Sequence, residues 1–184
     1  MKITDAAHDI ETVLYTRQQI AQRVDELGAQ LTRDYAGTRP VMVCLLKGAS
    51  VFFTDLCRSM PCHVEMDFIT VSSYGESAKS SGVIRLSKDI STDIAGRHVI
   101  LVDDIMDSGL TLAYLKKLLE LRQPLSVKIC CMLDKKDRHD PAFTPDYCGF
   151  DCPDAFVVGY GLDYANYYRN LPYIGILKKE VYED

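Results

Sequence analysis

The sequence predicts an α/β fold, with a mostly parallel central sheet flanked by helices. Three features point there. Apolar runs at 41–46, 98–102 and 125–133 read as strands buried on both faces, which is how a parallel sheet looks in sequence. Stretches with apolar side chains at helical spacing separate those runs. Strand alternating with helix implies right-handed crossovers between parallel neighbours. At 184 residues the chain is expected to form one domain, 1–184, long enough for a full core.

Thr16-Arg17-Gln18-Gln19 has the form of a capping box, in which a Thr and a Gln three residues later satisfy backbone N–H groups reciprocally. A helix is expected to open there, bury Ile20, Val24, Leu27, Leu31 and Tyr35, and end at Gly37 and Pro40. Val41–Leu46 is a strand that Lys47-Gly48 breaks. Ala49–Met60 is a helix with Val51, Phe52, Leu56 and Met60 inward. His63–Val71 alternates and reads as a strand. Ser72–Gly82 is small and polar, hence a loop, and Val83–Leu86 is a short strand. His98–Val102 is the central strand, Leu110–Leu121 a helix and Leu125–Leu133 another strand. Asp134–Cys152, rich in charge and proline, is expected to be irregular. Ala155–Gly159 and Tyr173–Leu177 are the last strands.

Hydrophobic residues make up 47% of the chain and charged residues 26%, ordinary proportions for a globular protein. The formal charge of −5 argues against nucleic acid or an anionic membrane as the main partner. No apolar run approaches the length of a membrane span. Met1-Lys2-Ile3-Thr4-Asp5 lacks the apolar stretch of a signal peptide, so the expected compartment is the cytoplasm. The seven cysteines are odd in number and form no CxxC pair, which favours neither a disulfide framework nor a zinc ribbon. Cys44, Cys130 and Cys131 sit in apolar runs and read as buried, whereas Cys148 and Cys152 are a weak metal signal without a second pair. His8, His63, His98 and His139 are scattered and receive no role.

The stretch richest in chemistry runs from His98 to Leu112. A buried strand meets two adjacent acids, Asp103 and Asp104, then a short turn with Asp107, Ser108 and Gly109, then a helix. Strand, polar turn, helix is where open α/β sheets bind ligands. The free N–H groups and dipole of the helix start suit a phosphate. Yet the turn holds carboxylates and no cation. The conflict resolves if the amides of Asp107, Ser108, Gly109, Leu110 and Thr111 hold a phosphate while Asp103 and Asp104 face sugar hydroxyls and a Mg²⁺ ion. The bland alternative is that the acid pair merely ends a strand and Asp107 or Ser108 caps the helix. In a parallel sheet the strand ends would also bring Lys47 and Lys135 to the same rim.

Taken whole, the apolar strand followed by Asp-Asp, two apolar residues and Asp-Ser-Gly-x-Thr resembles the phosphoribosyl pyrophosphate signature of the type I phosphoribosyltransferases. The resemblance extends from about Pro40 to Leu177. It implies that family's fold, with a small hood built from the chain ends over the crevice. Lys47 and Gly48 match its pyrophosphate loop, where a cis peptide between Leu46 and Lys47 is implied. Ser73 and Tyr74 match residues that close over pyrophosphate as a lid. The block from Phe156 to Gly175 is similar to the C-terminal part of the hypoxanthine-guanine branch. There, Phe156 would stack on the purine, the backbone of Val157 would pair with the ring edge, Asp163 would reach Mg²⁺ and Arg169 would contact pyrophosphate. Lys135 matches a Lys that meets the purine 6-oxo group, which suits an ammonium that only donates. Two positions depart from the pattern: Asp103 stands where Glu is common, and Asn166 where an acid is common.

The resemblance implies transfer of ribose 5-phosphate from phosphoribosyl pyrophosphate to a 6-oxopurine, hypoxanthine first and guanine next, with Mg²⁺ as cofactor and a homodimer or homotetramer as the assembly. Asp107 is the candidate base for the purine ring proton. The alternatives are a regulator of this fold that binds RNA, a preference for xanthine, and a flavodoxin-like receiver. The receiver would lack both the Lys47 loop and the Phe156–Arg169 block.

Overall fold

The computed structural model describes residues 6–73 and 84–183. Its elements are β1 (Ile10–Tyr15), α1 (Arg17–Asp34), β2 (Val41–Leu45), α2 (Ser50–Ser59), β3 (Glu65–Ser73), β4 (Ile84–Lys88), β5 (His98–Met106), α3 (Leu110–Glu120), β6 (Ser126–Asp134), β7 (Tyr147–Asp151), β8 (Val157–Val158), β9 (Ile174–Leu177) and α4 (Lys179–Tyr182). Six strands form the central sheet in the order β4-β3-β2-β5-β6-β7. All neighbours are parallel except β4, which runs antiparallel to β3. From β2 the chain steps outward to β3 and β4, then returns to place β5 on the other side of β2. The reversal makes a topological switch point between β2 and β5, and ligand crevices open at such points. A second, three-stranded sheet, β1-β9-β8, is antiparallel and draws one strand from the N-terminal part and two from the C-terminal part.

Apolar packing covers both faces of the central sheet. On one face α1 and α2 bury Ile20, Val24, Leu27, Leu31, Phe52, Phe53 and Leu56 against Met42, Cys44, Ile100 and Val102. On the other, α3 buries Leu112, Leu115 and Leu119 against Val41, Val43, Val99 and Leu101. Alternate residues of one strand thus face opposite layers, so every residue of β2 is buried. The capping box forms as expected: the Gln19 N–H donates to Thr16 Oγ1 at 3.3 Å and the Thr16 N–H to Gln19 Oε1 at 2.9 Å. Cys44, Cys130 and Cys131 are fully buried, and all seven cysteines are free thiols. Among the described residues, no helix is long and apolar enough to cross a membrane.

Several expected boundaries need correction. β5 does not stop at Val102 but runs to Met106, because its acid-bearing end stays paired with the apolar β6: Asp103 lies opposite Cys131 and Ile105 opposite Leu133. Val51 does not face inward; it is 37% exposed, and the fully buried Phe53 takes the inward place. Ser72 and Ser73 belong to β3, paired with Arg85 and Ile84 of β4, rather than to a loop. Residues 74–83, with the rest of that expected loop and Val83, lie outside the described residues. The stretch expected to be irregular contains β7, held in parallel register by β6 with Cys130 opposite Tyr147. β8 is confined to Val157–Val158, and β1 and α4 were not expected at all.

Candidate active site

At the switch point the turns leaving β2 and β5 pack against each other. The approach at Gly48 is close: a Cβ at this position would displace the Asp104 carboxylate. A third turn closes from the C-terminal part. Gly161 has φ +104° and lies so near that a Cβ on it would collide with the Gly48 carbonyl oxygen. Arg169 is drawn into the same corner: Nη1 donates to the Gly161 carbonyl at 2.7 Å and Nη2 pairs with Asp163 Oδ1 at 2.6 Å. The Asn166 N–H donates to the other Asp163 oxygen at 2.9 Å, so a residue lacking an acid still orients one. Lys47 makes no ion pair among the described residues, and its peptide bond to Leu46 is cis, as the resemblance implied.

Asp103 and Asp104 follow each other on β5 at the floor of this corner. Asp103 is 9% exposed and accepts one N–H, that of Asp104, at 3.0 Å. Burial and the neighbouring Asp104 carboxylate push its carboxyl well above the ordinary carboxylate range. Burial also raises Asp104, against the opposing pull of its hydrogen bonds and the Arg169 guanidinium. Two adjacent acids, Asp103 buried and Asp104 partly buried, that resist ionisation are a place where a cation would relieve the repulsion.

The turn after β5 ends at Gly109, which has φ +73° and forms the N-cap of α3 with no side-chain cap. The bland reading, in which Asp107 or Ser108 caps the helix, is therefore excluded. The first-turn N–H groups remain available to an anion. A cavity of about 240 Å³ opens there, lined by Asp103, Asp104, Asp107, Ser108, Gly109 and Thr111 among others. The Leu110 side chain is 69% exposed, so only its backbone can serve the cavity. A larger cavity, about 730 Å³, lies between α1, α2 and the turn at 169–172; it touches Arg169 but none of the acids on β5.

Lys135 follows β6 and is tied to the same turn, its N–H donating to the Met106 carbonyl at 2.9 Å. Its side chain is 12% exposed, with Nζ 3.9 Å from Asp154. Phe156 is 37% exposed. Tyr182 of α4 stacks on one of its faces, with centroids 4.8 Å apart, and Tyr164 meets it edge-on at 5.6 Å. β8 is an edge strand, and the alternation of its pairing with β9 turns the N–H and C=O of Val157 away from the sheet. Ser73 ends β3, and Tyr74 lies outside the described residues. Tyr182, Gly161, Arg138 and the buried Asp134–His139 pair escaped sequence reading; of these only Gly161, in Gly159-Tyr160-Gly161, carried a local signal.

The phosphoribosyl transferase domain family matches residues 12–165. The chain belongs to the phosphoribosyltransferase family. Among relatives, the hypoxanthine-guanine phosphoribosyltransferase of Bacillus subtilis is 51% identical over 176 residues, covering 96% of this chain and 98% of its own. The enzyme of the same name from Streptococcus thermophilus is 47% identical over 174 residues, covering 95% and 97%. A crystal structure of a hypoxanthine phosphoribosyltransferase from Staphylococcus aureus superposes with a TM-score of 0.93 at 42% identity, covering all of both chains. The type I phosphoribosyltransferase fold expected from the sequence is therefore the fold of this chain, with the mostly parallel six-stranded sheet at its centre.

Proposed function

We propose that this phosphoribosyltransferase serves purine salvage, moving ribose 5-phosphate from phosphoribosyl pyrophosphate to hypoxanthine, and also to guanine, with IMP or GMP and pyrophosphate as products. The observation that carries the reading is the uncapped start of α3 beside the acid pair Asp103–Asp104 at the switch point. That combination offers amides to a phosphate and carboxylates to ribose hydroxyls within one cavity. The names of the full-length relatives support the choice of base.

In this reading the amides of Asp107, Ser108, Gly109, Leu110 and Thr111 hold the 5-phosphate. Asp103 and Asp104 face the ribose. Asp103 is a methylene shorter than the Glu common at its place, and its burial limits it to that near approach. Lys47, Arg169 and the backbone of Gly48 meet the pyrophosphate, whose negative charge grows as its bond to C1′ breaks. Phe156 stacks on the purine with the face that Tyr182 leaves free, and the outward backbone of Val157 pairs with the ring edge. Lys135 donates to the 6-oxo group. As a ring nitrogen bonds to C1′, Asp107 takes the proton that this nitrogen carried. Among the described residues no three acids, histidines or cysteines converge on one point, so Mg²⁺ would be held by Asp103 and Asp104 or by Asp163, one or two carboxylates joined by substrate oxygens. When bound, it neutralises charge on the pyrophosphate. A cytoplasmic homodimer or homotetramer completes the reading.

Asp107→Asn keeps the side-chain shape and removes the base. In a single turnover with saturating substrates the rate of nucleotide formation is expected to fall about 10²- to 10⁴-fold. A rate within a few-fold of wild type would show that Asp107 is not the proton acceptor.

A further inference from the structure

We infer that Arg138 is a positioning residue for Asp107, holding its carboxylate in the orientation that proton transfer needs. The inference rests on the reading of Asp107 as base. Arg138 Nε donates to Asp107 Oδ1 at 3.1 Å. Nη1 of the same guanidinium lies 3.8 Å from Asp154 Oδ1, and that oxygen lies 3.9 Å from Lys135 Nζ. Asp107, Arg138, Asp154 and Lys135 thus alternate in charge and join the proposed proton acceptor to the proposed reader of the 6-oxo group. Asp107 Oδ2 accepts no hydrogen bond from a described residue, so fixing Oδ1 leaves Oδ2 presented for the proton.

The turn that carries Arg138 is anchored at both ends. Lys135 N–H donates to Met106 just ahead of Asp107, and Arg138 N–H closes the turn onto the Lys135 carbonyl, each at 2.9 Å. The next residue, His139, has a side chain only 1% exposed, and its Nε2 lies 2.6 Å from the equally hidden Asp134 carboxylate. Burial alone would lower the His139 ring's hold on a second proton, but Asp134 overrides that and raises it. The His139 Cβ packs 3.6 Å from where a Cβ on Gly109 would stand, so the turn rests directly on the phosphate loop. Arg138 itself is about half exposed, which leaves its ion pairs little weight in stability and puts their value in geometry. A fixed turn delivering a guanidinium to one carboxylate oxygen is a device for selecting a rotamer.

The test is a double-mutant cycle read by single-turnover rate and by KM for phosphoribosyl pyrophosphate. Arg138→Gln is expected to slow nucleotide formation about 10- to 100-fold with KM changed less than about twofold. Arg138→Lys, which keeps the charge, is expected to recover part of that loss. In an Asp107→Asn background, Arg138→Gln is expected to cost nothing further. An equal cost in both backgrounds would overturn the role of Arg138 and leave Asp107 standing as the base. An Asp107→Asn enzyme with undiminished rate would overturn the base assignment and this inference with it.

Discussion

Two buried carboxylates in this chain behave oppositely, and the difference is how many donors reach them and whether a second carboxylate stands beside them. Asp67, 4% exposed, accepts the N–H groups of Phe68, Ser91 and Thr92 at 2.7–2.8 Å. Burial alone would raise it; the donors win and hold it at about 2. Asp103, nearly as buried, has a single donor, so burial and the adjacent Asp104 carboxylate push it the other way. A depressed carboxyl contributes stability that is complete above the ordinary carboxylate range and is lost as pH falls toward 2. Asp67→Asn is therefore expected to cost about 2 kcal/mol at pH 7 in urea unfolding. Its stability should meet that of the wild type as the pH approaches 2, and a gap independent of pH would disprove the account. The acids of the candidate site were legible in the sequence as a motif because a strand end is a short, stereotyped place. Arg138 and His139 were not: within Lys135-Lys136-Asp137-Arg138-His139 every residue has the look of solvated charge, and only the folded turn buries one and aims another.

Elements were legible in proportion to how symmetrically they are buried. β2, β5 and β6 lie inside the sheet with helices on both sides, so their apolar runs are unbroken. β1, β7 and α4 lie at margins, where half the residues are polar and the pattern fades. β5 outran its apolar run because hydrogen bonding to β6 does not depend on which side chains the last residues carry. Local signals worked best where one side chain satisfies one backbone group, as at the start of α1. Thr16→Ala removes the side-chain half of that capping box and is expected to lower unfolding stability by about 1 kcal/mol in chemical denaturation. Thr16→Ser is expected to retain most of it. Equal losses for both would place the effect elsewhere.

Across the whole molecule the large sheet carries the turn and acids proposed to hold phosphate and sugar, and the small sheet carries Val157 and ties down Phe156, whose carbonyl accepts the Leu177 N–H at 2.9 Å. The small sheet depends on β1, which pairs with β9 from Ile10 opposite Leu177 to Tyr15 opposite Ile174. Without it β8 and β9 would be a two-stranded ribbon, marginal in water. Removing residues 1–14 is thus expected to preserve cooperative unfolding of the large sheet while abolishing measurable binding of hypoxanthine by calorimetry. Full base affinity in the truncated chain would show that the small sheet is dispensable. The touching backbones of Gly48 and Gly161 carry a consequence of their own. The loop proposed to meet pyrophosphate and the loop that leaves the proposed base platform cannot settle independently. Whatever free energy one ligand gains from the presence of the other must be returned in equal measure, so the two substrates should show reciprocal cooperativity in binding.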